Sequence, residues 1–525
     1  MDIDTSRRRP LVVFLTLLIL AGVTLRIVNV LMEPSLWADE IFSVSLAESP
    51  LVDVVLATLR FDTHPPLYYL QLHGWAAVAD SDRWFIMNST LQSIAAIAVL
   101  FMSCRKFFGF GPAIWAAAIF ALMPLQLFFA ENVRMYPMVM ILAIGLWYVL
   151  QRIEQDGRAS TRHLWAVLGL GLALTFTHGL GFFVAFFLFL STALRLMYLA
   201  HRREMFRLIA AYALVALGAL YPLAIGMIRQ TEGIAAWDLP TIGIHLTLTL
   251  LGMEFPWPTV AGFLILPLIL LLPMTQPRAR WTAGMLVLLP LCVLIWISML
   301  FKPVFIYRTL GLFHPFAAIA LGIYADAVFR ARMPIQQTTA VAVLMLMFIA
   351  SVNYTARFEK EGYSELVGTW EERSATDSIM LTNSPSEFWA ILRYLDNGTG
   401  RSSALAVQPP VRHQMLALKE KLEAAGVGGL NLFGRSDHAA VGMRKVYPYL
   451  PEEIVASEPS FWVLNPPARD CTLPDVQGHG LRKTDEFSSK GQHLIRCQRH
   501  AISAGSPLPK ESRYRLTSSS SVANF

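Results

Sequence analysis

Charged residues are scarce in this sequence. Asp, Glu, Lys and Arg make up 15% of its 525 residues, whereas 55% of the residues are hydrophobic and the mean hydropathy is +0.49. A soluble globular domain carries about a quarter charged residues, so this composition excludes that class. A transmembrane β-barrel is excluded as well, because the apolar residues form long solid runs rather than short alternating segments.

Motifs for nucleotide and zinc chemistry are also missing. The sequence has no GxxxxGK[ST] loop, no convincing dinucleotide fingerprint, no CxxC pair and no HExxH segment. Nucleotide hydrolysis and zinc-protease chemistry therefore have no support. There is no clear internal repeat, which weakens a secondary-transporter hypothesis. The net charge of +6 is explained by positive loops on one side of a membrane, so we predict no nucleic-acid partner.

Cysteine is rare, with four residues in the whole chain. Cys104 and Cys292 lie in or near apolar segments and are predicted to be inert. Cys471 and Cys497 lie in a polar C-terminal region, where a disulfide between them is a candidate if that region is extracytoplasmic. Their spacing alone does not decide the pairing.

The sequence does contain repeated apolar runs of about the length that crosses ~30 Å of hydrocarbon. They predict an all-α polytopic membrane protein with about eleven transmembrane helices. The first run follows three arginines but lacks a small-residue cleavage site, so we interpret it as a retained span. The predicted spans lie near 11–31, 88–103, 112–130, 137–151, 164–177, 180–199, 208–228, 258–273, 281–300, 309–328 and 337–355.

Loop charges predict the orientation, because Lys and Arg accumulate on the cytoplasmic side. The loops predicted to be cytoplasmic carry Arg7–Arg9, Arg105, Lys106, Arg152, Arg158, Arg162, Arg202, Arg203, Arg278, Arg280, Arg330 and Arg332. An odd number of spans then places the C-terminal region outside. We predict a multi-pass protein of the plasma (inner) membrane whose C-terminal region is periplasmic.

Three regions follow from this topology. Residues 1–355 form the predicted membrane domain, in which an outer loop, 33–87, carries acidic motifs. Residues 356–503 form a predicted extracytoplasmic α/β domain, with strands indicated at 461–467 and 492–498 and a strand, turn and helix in DSIMLTNSPSEFWAILRYL. Residues 504–525 are rich in Ser and are predicted to be disordered.

The outer loop carries the most informative residues. Asp39 and Glu40 are adjacent in LWADE, and Asp62 and His64 precede two prolines in FDTHPPLYYL. Neighbouring carboxylates repel one another, so such a cluster beside lipid indicates acid–base chemistry or cation binding. The alternative for the acids is a solvated loop beside an interfacial tryptophan, and for Tyr68 it is an aromatic belt.

Two further outer segments carry cations. ENVRMYPM holds Glu131, Arg134 and Tyr136, and its arginine suits phosphate recognition; a local Glu131–Arg134 pair is the alternative. KPVFIYRTL holds Lys302, Tyr307 and Arg308, which suit an anionic lipid headgroup, with snorkelling to the interface as the alternative.

These motifs resemble those of the GT-C superfamily of polyprenyl-phosphate-sugar-dependent glycosyltransferases, especially the protein mannosyltransferases and the bacterial lipid A aminoarabinose transferases. LWADE is similar to their first-loop acidic motif, FDTHPPLYYL to an Asp-x-His-Pro-Pro-Leu element and ENVRMYPM to a Glu-x-x-Arg-x-Tyr segment. KPVFIYRTL resembles a late motif, although Thr309 stands where an aromatic residue is common. The resemblance covers roughly residues 10–355.

The resemblance implies an inverting sugar transfer from a polyprenyl-phosphate donor to a hydroxyl of a lipid, glycan or protein acceptor on the outer face. Asp39 would be the general base, and Glu40 and Asp62 would orient it, position the acceptor or bind a divalent cation. The implied substrate-binding residues are His64, Tyr68, Glu131, Arg134, Tyr136, Lys302, Tyr307 and Arg308. The candidate metal ligands are Glu40, Asp62 and His178, although a lone histidine at such a position is more often a structural hydrogen bonder than a ligand.

Two other functions compete with this one. A transporter or lipid flippase would need ionisable residues or polar breaks near the middle of the membrane. A non-catalytic scaffold or sensor would use the C-terminal domain to bind a partner.

Overall fold

The structure is a computed structural model, and its description covers part of the chain. The described residues are 5–32, 35–60, 62–229, 277–300, 308, 311–357, 360, 362–373, 379–382, 387, 390–391, 393–394, 404–407, 446–447, 460–466, 471, 481–489 and 492–499. The predicted span 258–273, the predicted tail 504–525, Lys302 and Tyr307 lie outside these residues.

The chain divides into two compact units. The helical unit comprises residues 1–32 and 62–358, and the α/β unit comprises residues 33–61 and 359–525. The first half of the predicted outer loop thus packs with the C-terminal region, and its second half belongs to the helical unit. This division depends on contacts between residues more than 300 positions apart, such as Lys360 with Glu40, which composition and periodicity do not report.

In its described residues, the helical unit is built mainly of apolar helices. Its helices are α1 (Thr5–Met32), α4 (Leu67–Ala76), α5 (Asp82–Phe108), α6 (Phe110–Ala121), α7 (Pro124–Glu131), α8 (Tyr136–Asp156), α9 (Thr161–Thr177), α10 (Gly181–Tyr198), α11 (Arg202–Arg229), α12 (Pro277–Ala283), α13 (Leu289–Leu300), α14 (His314–Arg330) and α15 (Pro334–Arg357). A π-helical turn, Gly284–Leu288, joins α12 to α13, and a 3₁₀ turn, Gly311–Phe313, precedes α14.

Seven segments in the described part of the chain are long and apolar enough to cross a membrane, or eight if α6 and α7 are counted together. Helix α9 has 17 residues and falls just short of that length. The chain is therefore a multi-pass membrane protein, and the prediction of a polytopic helical fold is confirmed. The helices interlock through a continuous apolar core that includes Trp115, Phe120, Trp147 and Phe316.

One predicted span, 112–130, is two helices. Helices α6 and α7 meet at an angle of 64°. Pro124 begins α7 and supplies no backbone N–H, which favours an interruption of the helix at this point. The carbonyl oxygens released by the break are satisfied from other helices: Arg26 Nη1 donates to Ala121 O at 2.7 Å, and Ser351 donates to Leu122 O at 2.5 Å.

The α/β unit contains helices α2 (Ala38–Ala47), α3 (Leu51–Arg60) and α16 (Tyr363–Arg373) and a six-stranded sheet. The strands are β1 (Ile379–Thr382), β2 (Ala404–Val407), β3 (Val446–Tyr447), β4 (Ser460–Leu464), β5 (Leu481–Ser489) and β6 (Gln492–Arg499). Their order is β3-β2-β1-β4-β6-β5, with the first four strands parallel and β6 antiparallel to both neighbours.

Three of these strands, β1, β4 and β6, coincide with the segments that the sequence indicated. Strand β5 escaped prediction because most of its residues are exposed and polar, so it lacks an apolar signal. Cys471 and Cys497 form a disulfide that ties a loop to β6.

Candidate active site

The segment that leads into α4 places a buried carboxylate beside an imidazole. Asp62 is 9% exposed, and its Oδ1 accepts a hydrogen bond from the Thr63 backbone N–H at 2.6 Å. His64 Nδ1 lies 3.4 Å from the same oxygen and 3.0 Å from the Thr63 hydroxyl. Pro65 and Pro66 follow immediately and restrict the backbone of this segment, which holds both side chains in place.

Arg134 contacts the opposite edge of the His64 ring. Its Nη2 lies 3.4 Å from His64 Nε2, at the long end of the hydrogen-bond range. An arginine nitrogen can only donate, so a hydrogen bond at this contact requires an unprotonated Nε2 and a proton on Nδ1, facing Asp62 and Thr63. His64 therefore lies between an anion and a cation. We call Asp62, His64, Arg134 and His178 the His64 cluster.

His178 completes the cluster at the C-terminal end of α9. Its ring centroid is 5.5 Å from that of His64, in an edge-on arrangement. His178 Nδ1 accepts the backbone N–H of Leu180 at 3.0 Å. Burial lowers the pKa of His178 well below 6.5, and electrostatic interactions with His64 and Arg134 lower it further. His178 is therefore a neutral ring at neutral pH, with its proton on Nε2.

Asp62 is ionised. Burial alone raises the pKa of this carboxyl, but the interactions with His64, a hydrogen bond from Tyr69 and the positive charge of Arg134 outweigh that effect. The pKa of Asp62 consequently lies below its usual 3.8. The cluster thus holds one anion and one cation on either side of the His64 ring.

Aromatic residues lie next to this cluster. Tyr68 and Tyr69 are fully buried at the start of α4, with their ring centroids 5.6 Å apart. Tyr136 stacks on Phe129 at 4.5 Å and lies 5.9 Å from the His178 ring. The packing of Tyr136 therefore connects α7 to the His64 cluster.

Glu131 faces the interior of the helical unit. Its Oε2 accepts a hydrogen bond from Asn29 of α1 at 2.6 Å, and its Oε1 accepts one from the Tyr354 hydroxyl of α15. These bonds anchor the end of α7, directly before the turn that carries Arg134. We therefore interpret Glu131 as a support for that turn.

Sequence reasoning missed Arg26. This residue is 1% exposed inside α1; its Nε donates to Ser93, and its Nη1 donates to Gly22 O and Ala121 O. An arginine within an apolar run is itself a signal, because charges in membrane spans are rare and usually functional or paired. Its contacts stabilise the break between α6 and α7 and do not indicate a transport path.

The other acidic motif lies in the α/β unit. Glu40 is fully buried; its Oε1 accepts from Lys360 Nζ at 2.9 Å and its Oε2 accepts from the Trp37 backbone N–H at 3.0 Å. Asp39 lies beside it in the first turn of α2, partly exposed, where the helix dipole favours a carboxylate. Both carboxylate oxygens of Glu40 are thus occupied by hydrogen bonds, and Asp39 is the more accessible of the two acids.

The C-terminal region also holds the chain ahead of α2. The Leu36 backbone N–H donates to the Tyr394 hydroxyl oxygen at 2.8 Å, and the hydroxyls of Ser35 and Ser364 are 2.7 Å apart. Lys360, Ser364 and Tyr394 were not predicted. Nothing in the local sequence marks them, because their partners are more than 300 positions away.

The predicted site residues thus fall into two groups. Asp39 and Glu40 belong to the α/β unit. The helical unit holds Asp62, His64, Tyr68, Glu131, Arg134, Tyr136, His178 and Arg308. The guanidinium of Arg308 lies 6.0 Å from the centroid of the Phe128 ring on α7.

The metal prediction finds no support in the described residues. Among them, no group of three or more His, Cys, Asp and Glu side chains could hold a metal ion. Both oxygens of Glu40 already accept hydrogen bonds, one of them from a buried ammonium group. Glu40 does not fit a divalent cation, and we derive no step that uses one.

Comparisons with known proteins find similar solved structures but no match by family model or curated sequence. ArnT from Cupriavidus metallidurans, solved with bound undecaprenyl phosphate, is similar over 92% of this chain and 98% of its own, with a TM-score of 0.51 and 12% identity.

Two other solved structures are similar over shorter stretches. The Archaeoglobus fulgidus oligosaccharyltransferase matches 71% of this chain, with a TM-score of 0.44 and 12% identity, and this chain spans 59% of its length. The S. cerevisiae Pmt1-Pmt2 protein O-mannosyltransferase matches 43% of this chain and 34% of its own, with a TM-score of 0.33 and 16% identity. The likeness to ArnT over nearly the full length of both chains shows that this protein has the GT-C fold.

Proposed function

We propose that this protein is a membrane glycosyltransferase that moves a sugar from a polyprenyl-phosphate donor to a hydroxyl acceptor on the outer face of the membrane. The observation that carries the proposal is the His64 cluster, which holds a buried guanidinium in a fixed orientation beside a membrane-spanning bundle. Fixed cations of this kind suit a phosphate that gains charge as it leaves.

Arg134 is the proposed phosphate-binding residue. Its contact with His64 orients the guanidinium plane, and a planar fork binds phosphate through paired hydrogen bonds. ArnT, which shares the fold, was solved with undecaprenyl phosphate, a ligand of the proposed donor class. Arg308 and Lys302 are further candidates for the same phosphate.

Asp39 is the proposed general base. It removes the proton of the acceptor hydroxyl while that oxygen attacks the anomeric carbon and the bond from this carbon to the phosphate oxygen breaks. The sugar is transferred with inversion, and the lipid phosphate keeps the electron pair of the broken bond. Glu40 acts on Asp39 only through position, because Lys360 neutralises its charge.

Asp62 and His64 are proposed to hold Arg134 ready for the donor. The Asp62 carboxylate favours the proton on His64 Nδ1, and this tautomer leaves Nε2 able to accept from Arg134. Protonation of Nε2 would replace that hydrogen bond with repulsion between two cations.

The transfer is tested in cells that lack the protein and are complemented with the full chain, by mass spectrometry of extracted glycolipids and surface glycans. Complementation is expected to restore a sugar-bearing product, and Asp39→Asn to reduce it by about 10²–10⁴-fold. Unchanged glycans in the deficient cells would reject the function. Full transfer by a folded Asp39→Asn variant would reject the role of Asp39 alone, and uptake of labelled substrate without covalent product would favour a transporter.

Donor binding is tested on purified protein with undecaprenyl phosphate. Arg134→Gln is expected to weaken binding by about 10- to 100-fold, as for the loss of a charged hydrogen bond. Arg162→Gln is the matched control, because Arg162 is exposed in the first turn of α9. Equal affinity of the two variants would remove Arg134 from the donor site.

A further inference from the structure

The helical unit contains an open cleft of about 660 Å³ whose lining includes none of the candidate active-site residues. The cleft lies where the end of α5, the start of α6, the start of α12 and the end of α14 meet. Its volume is within the range of about 300–1,000 Å³ that is usual for small-ligand sites.

The lining combines an apolar wall with two guanidinium groups. Phe108, Pro112 and Ile323 form the apolar side, and Arg278 and Arg330 supply the positive charges. Both arginines are exposed, Arg330 to 54%. An amphipathic cleft of this kind fits a ligand that has an anionic head and an apolar body.

Among the described residues of the lining there is one acid, Asp326, and its charge is already compensated. Asp326 Oδ2 is 2.6 Å from Arg330 Nε. A Cβ atom placed on Gly111 would lie 2.0 Å from Asp326 Oδ1, so this carboxylate sits against the first turn of α6, where the helix dipole stabilises a negative charge. Arg278 therefore adds a positive charge that Asp326 does not cancel.

The helix ends around the cleft are those whose loops the charge pattern predicts to be cytoplasmic. Arg105 and Lys106 lie in the last turn of α5, beside Phe108. Arg332 follows α14 directly. A cleft at this level faces the headgroups of the cytoplasmic leaflet, in which anionic lipids attract clustered basic residues.

We propose that this cleft binds one anionic phospholipid of the cytoplasmic leaflet. Its phosphate contacts Arg278 and Arg330, and its glycerol and acyl chains lie along Phe108 and Ile323. The guanidinium groups supply the directed hydrogen bonds that phosphate oxygens accept. This site is separate from the proposed sugar transfer and does not depend on it.

The test measures which lipid the purified full-length chain retains from mixed micelles of phosphatidylglycerol and phosphatidylcholine, by native mass spectrometry. The wild type is expected to retain phosphatidylglycerol several-fold over phosphatidylcholine. Arg278→Gln should lower the retention of phosphatidylglycerol about fivefold, the effect of one basic residue at an anionic surface. Arg280→Gln is the matched control, because Arg280 is exposed on the same short helix but does not line the cleft.

Three outcomes would overturn the proposal. They are equal retention of the two lipids by the wild type, unchanged retention by Arg278→Gln, and displacement of phosphatidylglycerol by a soluble polyglutamate peptide, which would indicate a protein partner. If Arg278→Gln fails to fold, the Ala331→Trp variant tests the site instead. The added indole fills the cleft from an exposed position and leaves the charge of the cleft unchanged. Loss of phosphatidylglycerol in that variant supports the site, and wild-type retention rejects it.

Discussion

At the scale of single residues, the pair of Glu40 and Lys360 changes how the acidic motif is interpreted. Adjacent carboxylates in a sequence suggest two working acids, yet the structure gives one of them a buried ammonium partner with both groups at most 2% exposed. A buried pair is weak support for stability as a pair, but removal of one partner leaves an uncompensated charge. Lys360 therefore neutralises the charge of Glu40, the residue next to Asp39.

Lys360→Met is expected to lower the free energy of unfolding of the α/β unit by about 3–5 kcal/mol, because Glu40 is then buried without a cation. The double variant Lys360→Met with Glu40→Gln should recover most of that loss. Thermal unfolding in detergent measures both. Lys483→Met is the control, since Lys483 pairs with Glu486 at an exposed position and its loss should change little. Equal destabilisation by the single and double variants would show that the ion pair is not the cause.

His178 provides a prediction about pH. Its pKa is depressed in the folded state by burial first and by electrostatic interactions with His64 and Arg134 next, so below about pH 6.5 the unfolded chain binds a proton that the folded chain does not. The stabilising contribution of neutral His178 is therefore complete above that pH and is lost as the pH falls through the folded pKa, at up to ~1.4 kcal/mol per pH unit.

His178→Gln should make the stability of the helical unit less dependent on pH below about 6.5, because Gln does not titrate and its carbonyl oxygen can still accept from Leu180. The measurement compares the melting temperatures of the two proteins from pH 7.5 to pH 5, about the ordinary histidine pKa of ~6.5. Parallel curves for wild type and variant would mean that His178 titrates normally in the fold.

At the scale of elements, the break between α6 and α7 is a feature that the hydropathy of the sequence does not report. The run 112–130 is apolar apart from Gln126 and predicts one span, but Pro124 interrupts the helix. Arg26 and Ser351 donate hydrogen bonds to the carbonyl oxygens freed by this break. A broken helix inside a bundle requires such donors, because lipid supplies none. The break directs α7 so that it ends at Glu131, next to the turn that carries Arg134.

Gly22→Ala tests this arrangement. A Cβ at Gly22 would lie 2.6 Å from Ala121 O, a backbone atom at the break, so the substitution should destabilise the helical unit by about 1–3 kcal/mol. Gly169→Ala, at a helical position with no atom within 4 Å of the added Cβ, should stabilise it by about 0.5–1 kcal/mol. Melting temperatures in detergent separate the two effects, and a neutral Gly22→Ala would show that α1 has room to move away from the break.

At the scale of the whole molecule, local patterns predicted the helical membrane part and three of the strands, and they marked Asp62, His64, Arg134 and His178 as separate candidate residues. Apolar runs are long enough to report spans, and motif residues that are close in sequence, such as Asp62 and His64, remain close in the fold. Contacts between residues far apart in the sequence could not be predicted from these patterns. Asn29 and Tyr354 support Glu131, and Lys360 supports Glu40. These partners are about 100 to 320 positions apart in the sequence.

The division of the outer loop between the two units gives the last prediction. Residues 35–48 depend on Lys360, Ser364, Tyr394 and Arg393 for hydrogen bonds or ion pairs, and all four are removed by truncation after Phe358. Amide hydrogen exchange of residues 35–48 should then rise by at least about tenfold, because local opening no longer breaks those contacts. Exchange in α5 and α8 should be unchanged, since these helices pack within the helical unit.

Truncation after Arg499 is the control, because it removes only residues beyond β6 and keeps every contact of the 35–48 segment. Wild-type exchange of residues 35–48 in the longer truncation would mean that the segment folds without the C-terminal region, and Lys360 would then have no positioning role toward Asp39. Faster exchange in α5 or α8 as well would instead show that the helical unit needs the C-terminal region for its own stability. Faster exchange confined to residues 35–48 assigns the C-terminal region the specific task of holding the Asp39 turn.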